Sequence, residues 1–347
     1  MKRRPTPDPF PPHTKLASIL LLIGESRREI MLDTYIDQFT SQWSAEARKD
    51  FRQKPMAIRH NYHEHQAFSD MALAELLERH PRDMVDFCTM GEDATDRDSW
   101  RAGDPGDLTG MELIEAVRNG KLWINIRGAM NLDALYRPIY DSMMDDMKKA
   151  DKTFRPGTAE AGILISSPTA QVFLHSDISE TMLWHMRGIK RFRTYKPQLP
   201  YLRDLDMEAV LLEEQTEDIP YNPEWDADAF TVDLHPGMAT NWPLHGPHRI
   251  ENQSGLNVSV PFEFSTPESR ARNGVLFANG ILRRKLGWSP ETQSPYSLAG
   301  MAKRLLSKSI KLHKKLFGRK DVPMPCSEQT FDITKDAPDG FVDRKVA

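Results

Sequence analysis

Residues two apart on a β-strand point to the same face, so His175 and Asp177 in His175-Ser176-Asp177 can meet one metal ion. A histidine from a distant strand can close the triangle. The candidate is His248, in Trp242-Pro243-Leu244-His245-Gly246-Pro247-His248. Such a triad demands a fold that lays short, sequence-distant strands side by side. Two neutral imidazoles and one carboxylate on one side of an octahedral ion leave three adjacent positions open, which suits ferrous iron. His245 is the rival third ligand. The strand-like Arg249-Ile250-Glu251-Asn252 that follows favours His248.

The surrounding pattern supports such a fold. Short strand-like runs separated by Pro and Gly occur at Leu122–Ile126, Gly162–Ile165, Gln171–His175, Lys190–Tyr195 and Asn257–Phe262, with a helical insert near 204–216. Strands at this spacing predict an antiparallel jelly roll or barrel over 121–266. From 15 to 120 the pattern is helical, with apolar residues at three- and four-residue spacing in Met71–Arg79 and Gly110–Val117. Asn131 offers an N-cap for a helix from Leu132 to about Lys149. The expected class is therefore α+β: a jelly-roll core between a helical N-terminal region and C-terminal helices at 267–320. Prolines 5, 7, 9, 11 and 12 make 1–14 a loose arm, and 321–347, with Pro323, Pro325 and Pro338, a mobile tail.

Charged residues at 28% and hydrophobic residues at 39% describe a soluble globular chain, and 347 residues suffice for a sizeable core. The net charge of −4 hides an asymmetry. Residues 301–320 carry eight basic side chains and no acidic one, so the remainder stands at −12 and gives no specific nucleic-acid signal. Cys88 and Cys326 have neither zinc nor redox spacing, and a reducing cytoplasm is the default. Leu16–Ile23 is too short to span a bilayer and lacks a cleavage site, so no signal peptide is expected.

Beyond Asp177, Gly188-Ile189-Lys190-Arg191-Phe192-Arg193-Thr194-Tyr195 places Lys190, Phe192 and Thr194 on one strand face and Arg191, Arg193 and Tyr195 on the other. Lys190 is the one cation on its face. Were 2-oxoglutarate the co-substrate, its far carboxylate would need a cation in a poorly solvated pocket.

Together, His175-Ser176-Asp177, Gly188-Ile189-Lys190 and the run from Pro236-Gly237 through Pro243 to His248 and Asn252 resemble the JmjC family of cupin-fold oxygenases. In style they are nearest the asparaginyl hydroxylase of hypoxia-inducible factor and bacterial cupin-like hydroxylases. The likeness covers about 120–266. Lys190 follows His175, and His248 follows Pro243, at the family's spacings. The resemblance implies a dioxygenase with Fe(II) on His175, Asp177 and His248, taking 2-oxoglutarate and dioxygen, with Lys190 on the far carboxylate. It also implies polar contacts to the co-substrate from Thr181 and from Asn257 or Ser259. Hydroxylation is the expected reaction, with demethylation the variant if the target carbon is an N-methyl group. The substrate is left open among a protein side chain, a small molecule and a cell-envelope sugar. Two departures bear on the pocket: Met238 replaces the usual acidic residue after Pro-Gly, and Gly246-Pro247 replaces an aromatic before the last histidine.

Other features stay open. His185 can face the pocket or be a packed core histidine, with Trp184 pointing the other way, and His245 can line the entrance. His60, His63 and His65 read as a hydrogen-bonded structural cluster rather than a second metal site. The basic stretch 301–320 carries Met301, Leu305, Ile310, Leu312 and Leu316 at helical spacing. It can pack on the domain, form a homodimer contact, or touch the inner face of a membrane peripherally. A metal-binding cupin without turnover, acting as sensor or interaction scaffold, is the alternative to an enzyme.

Overall fold

The structure, a computed structural model, describes residues 38–96, 99–292, 294–317 and 328–344, with the backbone alone at 313–317. The arm at 1–14 and the apolar run at 16–23 lie outside the described residues. The strands are β1 (Ser41–Gln42), β2 (Met56–His60), β3 (Val85–Thr89), β4 (Arg101–Asp104), β5 (Trp123–Ile126), β6 (Thr158–Ala161), β7 (Ile163–Ser166), β8 (Gln171–His175), β9 (Glu180–Thr194), β10 (Phe230–Leu234), β11 (Met238–Asn241), β12 (His248–Ser265), β13 (Gln329–Ile333) and β14 (Phe341–Asp343). The helices are α1 (Ala45–Asp50), α2 (Asp70–Arg79), α3 (Gly110–Asn119), α4 (Ala129–Leu132), α5 (Arg137–Ala150), α6 (Asp204–Leu211), α7 (Pro267–Leu286) and α8 (Leu298–Phe317).

Two long strands organise the molecule. The first half of β9 pairs with β11 on one side and with the second half of β12 on the other; β7 lies beyond β12. The second half of β9 pairs with β10 and with the first half of β12, which in turn pairs with β8. Each long strand therefore leaves one sheet and enters a second, giving the orders β7-β12-β9-β11 and β8-β12-β9-β10. Eight antiparallel segments wound in this way form a jelly roll, or double-stranded β-helix.

The crossing points are Gly188 and Gly255, at φ of +78° and +71°, where the β9–β12 register shifts. These positions need glycine, because a side chain strains at positive φ. A Cβ on Gly188 would stand 2.6 Å from Asn257, and one on Gly255 would stand 3.5 Å from the Gly188 Cα. Between the sheets Leu183, Phe192, Leu234, Trp242 and Ile250 form a buried cluster. Arg191, Arg193 and Arg249 face outward instead, pairing with Asp233, with Glu251, and with Asp226 and Glu251 respectively.

Three expectations change. The region before 120 contains the two helices its spacing predicts, α2 and α3, the latter with a Thr109–Glu112 capping box. Its described part also contains strands. β2 extends the first sheet beyond β11, while β3 and β4 extend it beyond β7 by way of the expected β5. These strands are only four or five residues long, too short for period-two alternation to stand out against neighbouring helices. The helix predicted from Leu132 to about Lys149 starts only at Arg137, as α5, with Tyr136 as its N-cap, and the short α4 ends at Leu132 before it. Asn131 caps nothing: its side chain accepts from Ala161 N and donates to Ala159 O, clipping β6 to α4. Ile139 and Met143 are nonetheless buried, and Tyr140 stacks on Phe262 of β12 at 4.7 Å, so α5 covers the outer face of the first sheet. Finally, residues 329–343 of the supposed mobile tail hold β13 and β14, and β13 runs parallel to β4 at the sheet's far edge.

Candidate metal centre

His175 ends β8 and His248 begins β12, and the two are register partners across the strand pair. Their rings lie 4.0 Å apart between centroids, a proximity the backbone pairing itself imposes. Asp177 sits in the turn leading to β9. Its Oδ1 is 3.5 Å from His175 Nε2 and its Oδ2 3.6 Å from His248 Nε2. One donor atom from each residue lies within 4.8 Å of the others, and among the described residues this is the only group of three or more His, Cys, Asp or Glu side chains placed to share an ion.

The protein holds both imidazoles in the tautomer a metal needs. His175 Nδ1 donates to Phe173 O at 2.8 Å and His248 Nδ1 to Gly246 O at 3.0 Å. A carbonyl can only accept, so the proton resides on Nδ1 and the Nε2 lone pair faces Asp177. Burial lowers the His248 pKa to about 4, which keeps the ring neutral near pH 7. Thr181 Oγ1 donates to Asp177 Oδ2 at 3.0 Å and fixes the carboxylate from the start of β9. Ser176 points away, donating to His245 O. Its backbone N–H donates to Glu217 O, and Ile178 N to Glu217 Oε1, so the segment around 217 braces the Ser176 turn as an added edge.

The residues named from sequence fall into three places. His175, Asp177, His248 and Thr181 line a cavity of about 1030 Å³. Leu183, Trp242 and Ile250 continue its wall inward. Lys190, His185 and Ser259 lie further along their strands, off that lining. Lys190 is 3% exposed and forms no ion pair among the described residues; burial pulls its pKa down to about 7. His185 is fully buried, taking Ser259 Oγ–H on Nδ1 at 2.9 Å and facing Gly188 O through Nε2 at 3.0 Å. Burial first, and the Lys190 charge second, hold its pKa well below the usual imidazole value. Asn257 closes the strand crossing, donating to Ser254 O and Gly255 O. Trp184 packs on the opposite face against Tyr62 and His60.

His245 is committed elsewhere. Its Nε2 meets Asn273 Oδ1 of α7 at 2.7 Å, while Asn273 Nδ2 donates to Ile178 O, so the residue ties the ligand turn to the helix. Burial also lowers its pKa to about 4.

Two cavity residues escaped the sequence reading. Glu217 and Glu263 line the same cavity; burial, reinforced by the Asp177 charge, pushes the Glu217 carboxyl up to about 7, and the same two causes raise that of Glu263, a residue that keeps an exposed surface. A cation at the triad would oppose the Asp177 contribution. Glu263 carried a signal: it continues the inward-facing series Asn257, Ser259, Pro261 at period two on β12. Glu217 carried none, because its place follows from long-range pairing with Ser176.

No protein-family model and no curated protein matches the chain. Among solved structures, Escherichia coli YcfD is similar at 14% identity over 80% of this chain and 70% of its own, with a TM-score of 0.47. A structure described as the ribosomal oxygenase YcfD from E. coli with cobalt and 2-oxoglutarate matches at 14% identity over 80% and 69%, TM-score 0.46. The same protein with cobalt and succinic acid matches at 15% over 80% and 69%, TM-score 0.44.

Proposed function

We propose that the chain is an Fe(II)- and 2-oxoglutarate-dependent oxygenase that hydroxylates a C–H bond of its substrate. One observation carries the reading. Two histidines with fixed tautomers and one braced carboxylate present three donors on the wall of a cavity rather than in a closed shell. A structural site closes around its ion, whereas a catalytic one keeps positions open.

Ferrous iron held there would supply the redox chemistry that activates dioxygen at the expense of a 2-oxo acid. The chain's own residues supply the rest. The Phe173 and Gly246 carbonyls aim the imidazoles, and Thr181 orients Asp177. Leu183, Phe192, Trp242 and Ile250 wall the interior with apolar surface and exclude water. Lys190, buried further along β9 behind the cavity lining and paired with no carboxylate among the described residues, is the cation that the far end of a dicarboxylate reaching past that lining would meet. A cavity of about 1030 Å³ exceeds what a five-carbon diacid fills and leaves room for a substrate group beside it.

Calorimetry with Mn(II) in place of iron tests this reading. 2-Oxoglutarate should bind only when metal is present, and Lys190→Met should weaken binding roughly a hundredfold while leaving metal affinity intact. Metal loading without 2-oxoglutarate binding would instead favour a sensor or scaffold.

A further inference from the structure

The last helix turns its apolar stripe away from the protein. A helix packed on a domain buries its apolar side. In α8 the residues shown against α7 are small or polar, with Leu306 and Ile310 half-buried beside them: Gly300 and Ser307 are buried, Arg304 lies beside Gly274, and Lys311 Nζ sits 4.8 Å from the Phe277 ring centroid. Leu298, Met301, Leu305 and Leu312 are 84%, 42%, 67% and 57% exposed. Their spacings of three, four and seven residues place all four on one face, so the exposed residues form a continuous ridge. Lys308 is exposed on its flank. Leu286 and Trp288 at the end of α7, and Tyr296 before α8, are exposed as well.

We propose that this face docks on an anionic lipid surface. Leucine, methionine and aromatic side chains gain by entering the boundary between headgroups and acyl chains, and the neighbouring lysines gain from the negative surface potential. Charge selects this occupant over a second copy of the chain. The ridge is flanked, among the described residues, by exposed Lys308, and no acidic residue occurs from 301 to 320, so two such ridges would bring like charges together with no anion between them. Among the described residues no helix is long and apolar enough to cross a membrane, so the contact lies along the surface. It does not depend on the metal or on turnover.

Co-sedimentation of the full chain with vesicles decides the matter. Binding should appear with equal parts phosphatidylglycerol and phosphatidylcholine, weaken as salt is raised, and be lost on phosphatidylcholine alone. Leu305→Asp and Leu312→Asp should each weaken it roughly tenfold or more, with melting temperature unchanged because both sites are exposed. The proposal is overturned if the natural chain ignores phosphatidylglycerol, or if neither substitution matters. A solution dimer that Leu305→Asp dissociates, with no vesicle binding, would also overturn it and assign the ridge to a second copy.

Discussion

Lys190 shows how the residue scale links stability to function. A buried ammonium with no carboxylate partner among the described residues is a cost, expressed as a fall in pKa from 10.5 to about 7. Unfolded, the lysine keeps its proton up to about 10.5; folded, it loses it near 7. Between those values the unfolded state binds more protons, so this group makes stability rise with pH across that window. Below pH 7 the full penalty is present. Lys190→Met should therefore stabilise the metal-free chain at neutral pH by on the order of 1 to 3 kcal/mol and flatten the rise above pH 7. Thermal melts from pH 6 to 10 check this, and a destabilised variant with an unchanged slope would contradict it. Lys190 could be assigned a strand face from period two alone, and β9 does carry it; the same argument for Asp177 fails in detail, because β8 ends at His175 and Asp177 is brought to the two histidines by the turn that follows. Glu217 was not legible, since only tertiary pairing brings it to Ser176.

At the scale of elements, β9 and β12 carry the architecture through their glycine crossings. Gly188→Ala introduces positive-φ strain and a contact with Asn257, a side chain already bonded to two carbonyls of the opposite bend. The cost should be about 1 to 3 kcal/mol in urea unfolding, and an unchanged midpoint would contradict the crossing described here. The strand segments were readable from alternation, but their fusion into two long strands was not. A residue at positive φ breaks the alternating pattern while hydrogen bonding continues on both sides. The later start of the helix expected over 132–149 was missed for a related reason. Asn131 has the chemistry of a cap, yet β6 takes both ends of its amide, and a contact across the fold outweighs a local preference.

Across the whole molecule, strands from both ends of the described chain lengthen one sheet of the jelly roll, while the second sheet remains four segments wide. The candidate metal centre therefore sits beside a broad shelf: Phe87 of β3, Trp123 of β5 and Gln329 of β13 all line the same cavity as the triad. The jelly roll was foreseeable from its short strands, whereas the shelf depends on β13 arriving beside β4 from more than two hundred residues away. The central claim is that His175, Asp177 and His248 hold iron with positions left for a 2-oxo acid. Anaerobic titration of Fe(II) with 2-oxoglutarate, followed by visible absorption, tests it most directly. The account predicts a weak charge-transfer band that saturates with the co-substrate and is abolished by His175→Ala or Asp177→Ala; no band in the folded, iron-loaded protein, or one that survives both substitutions, would contradict it.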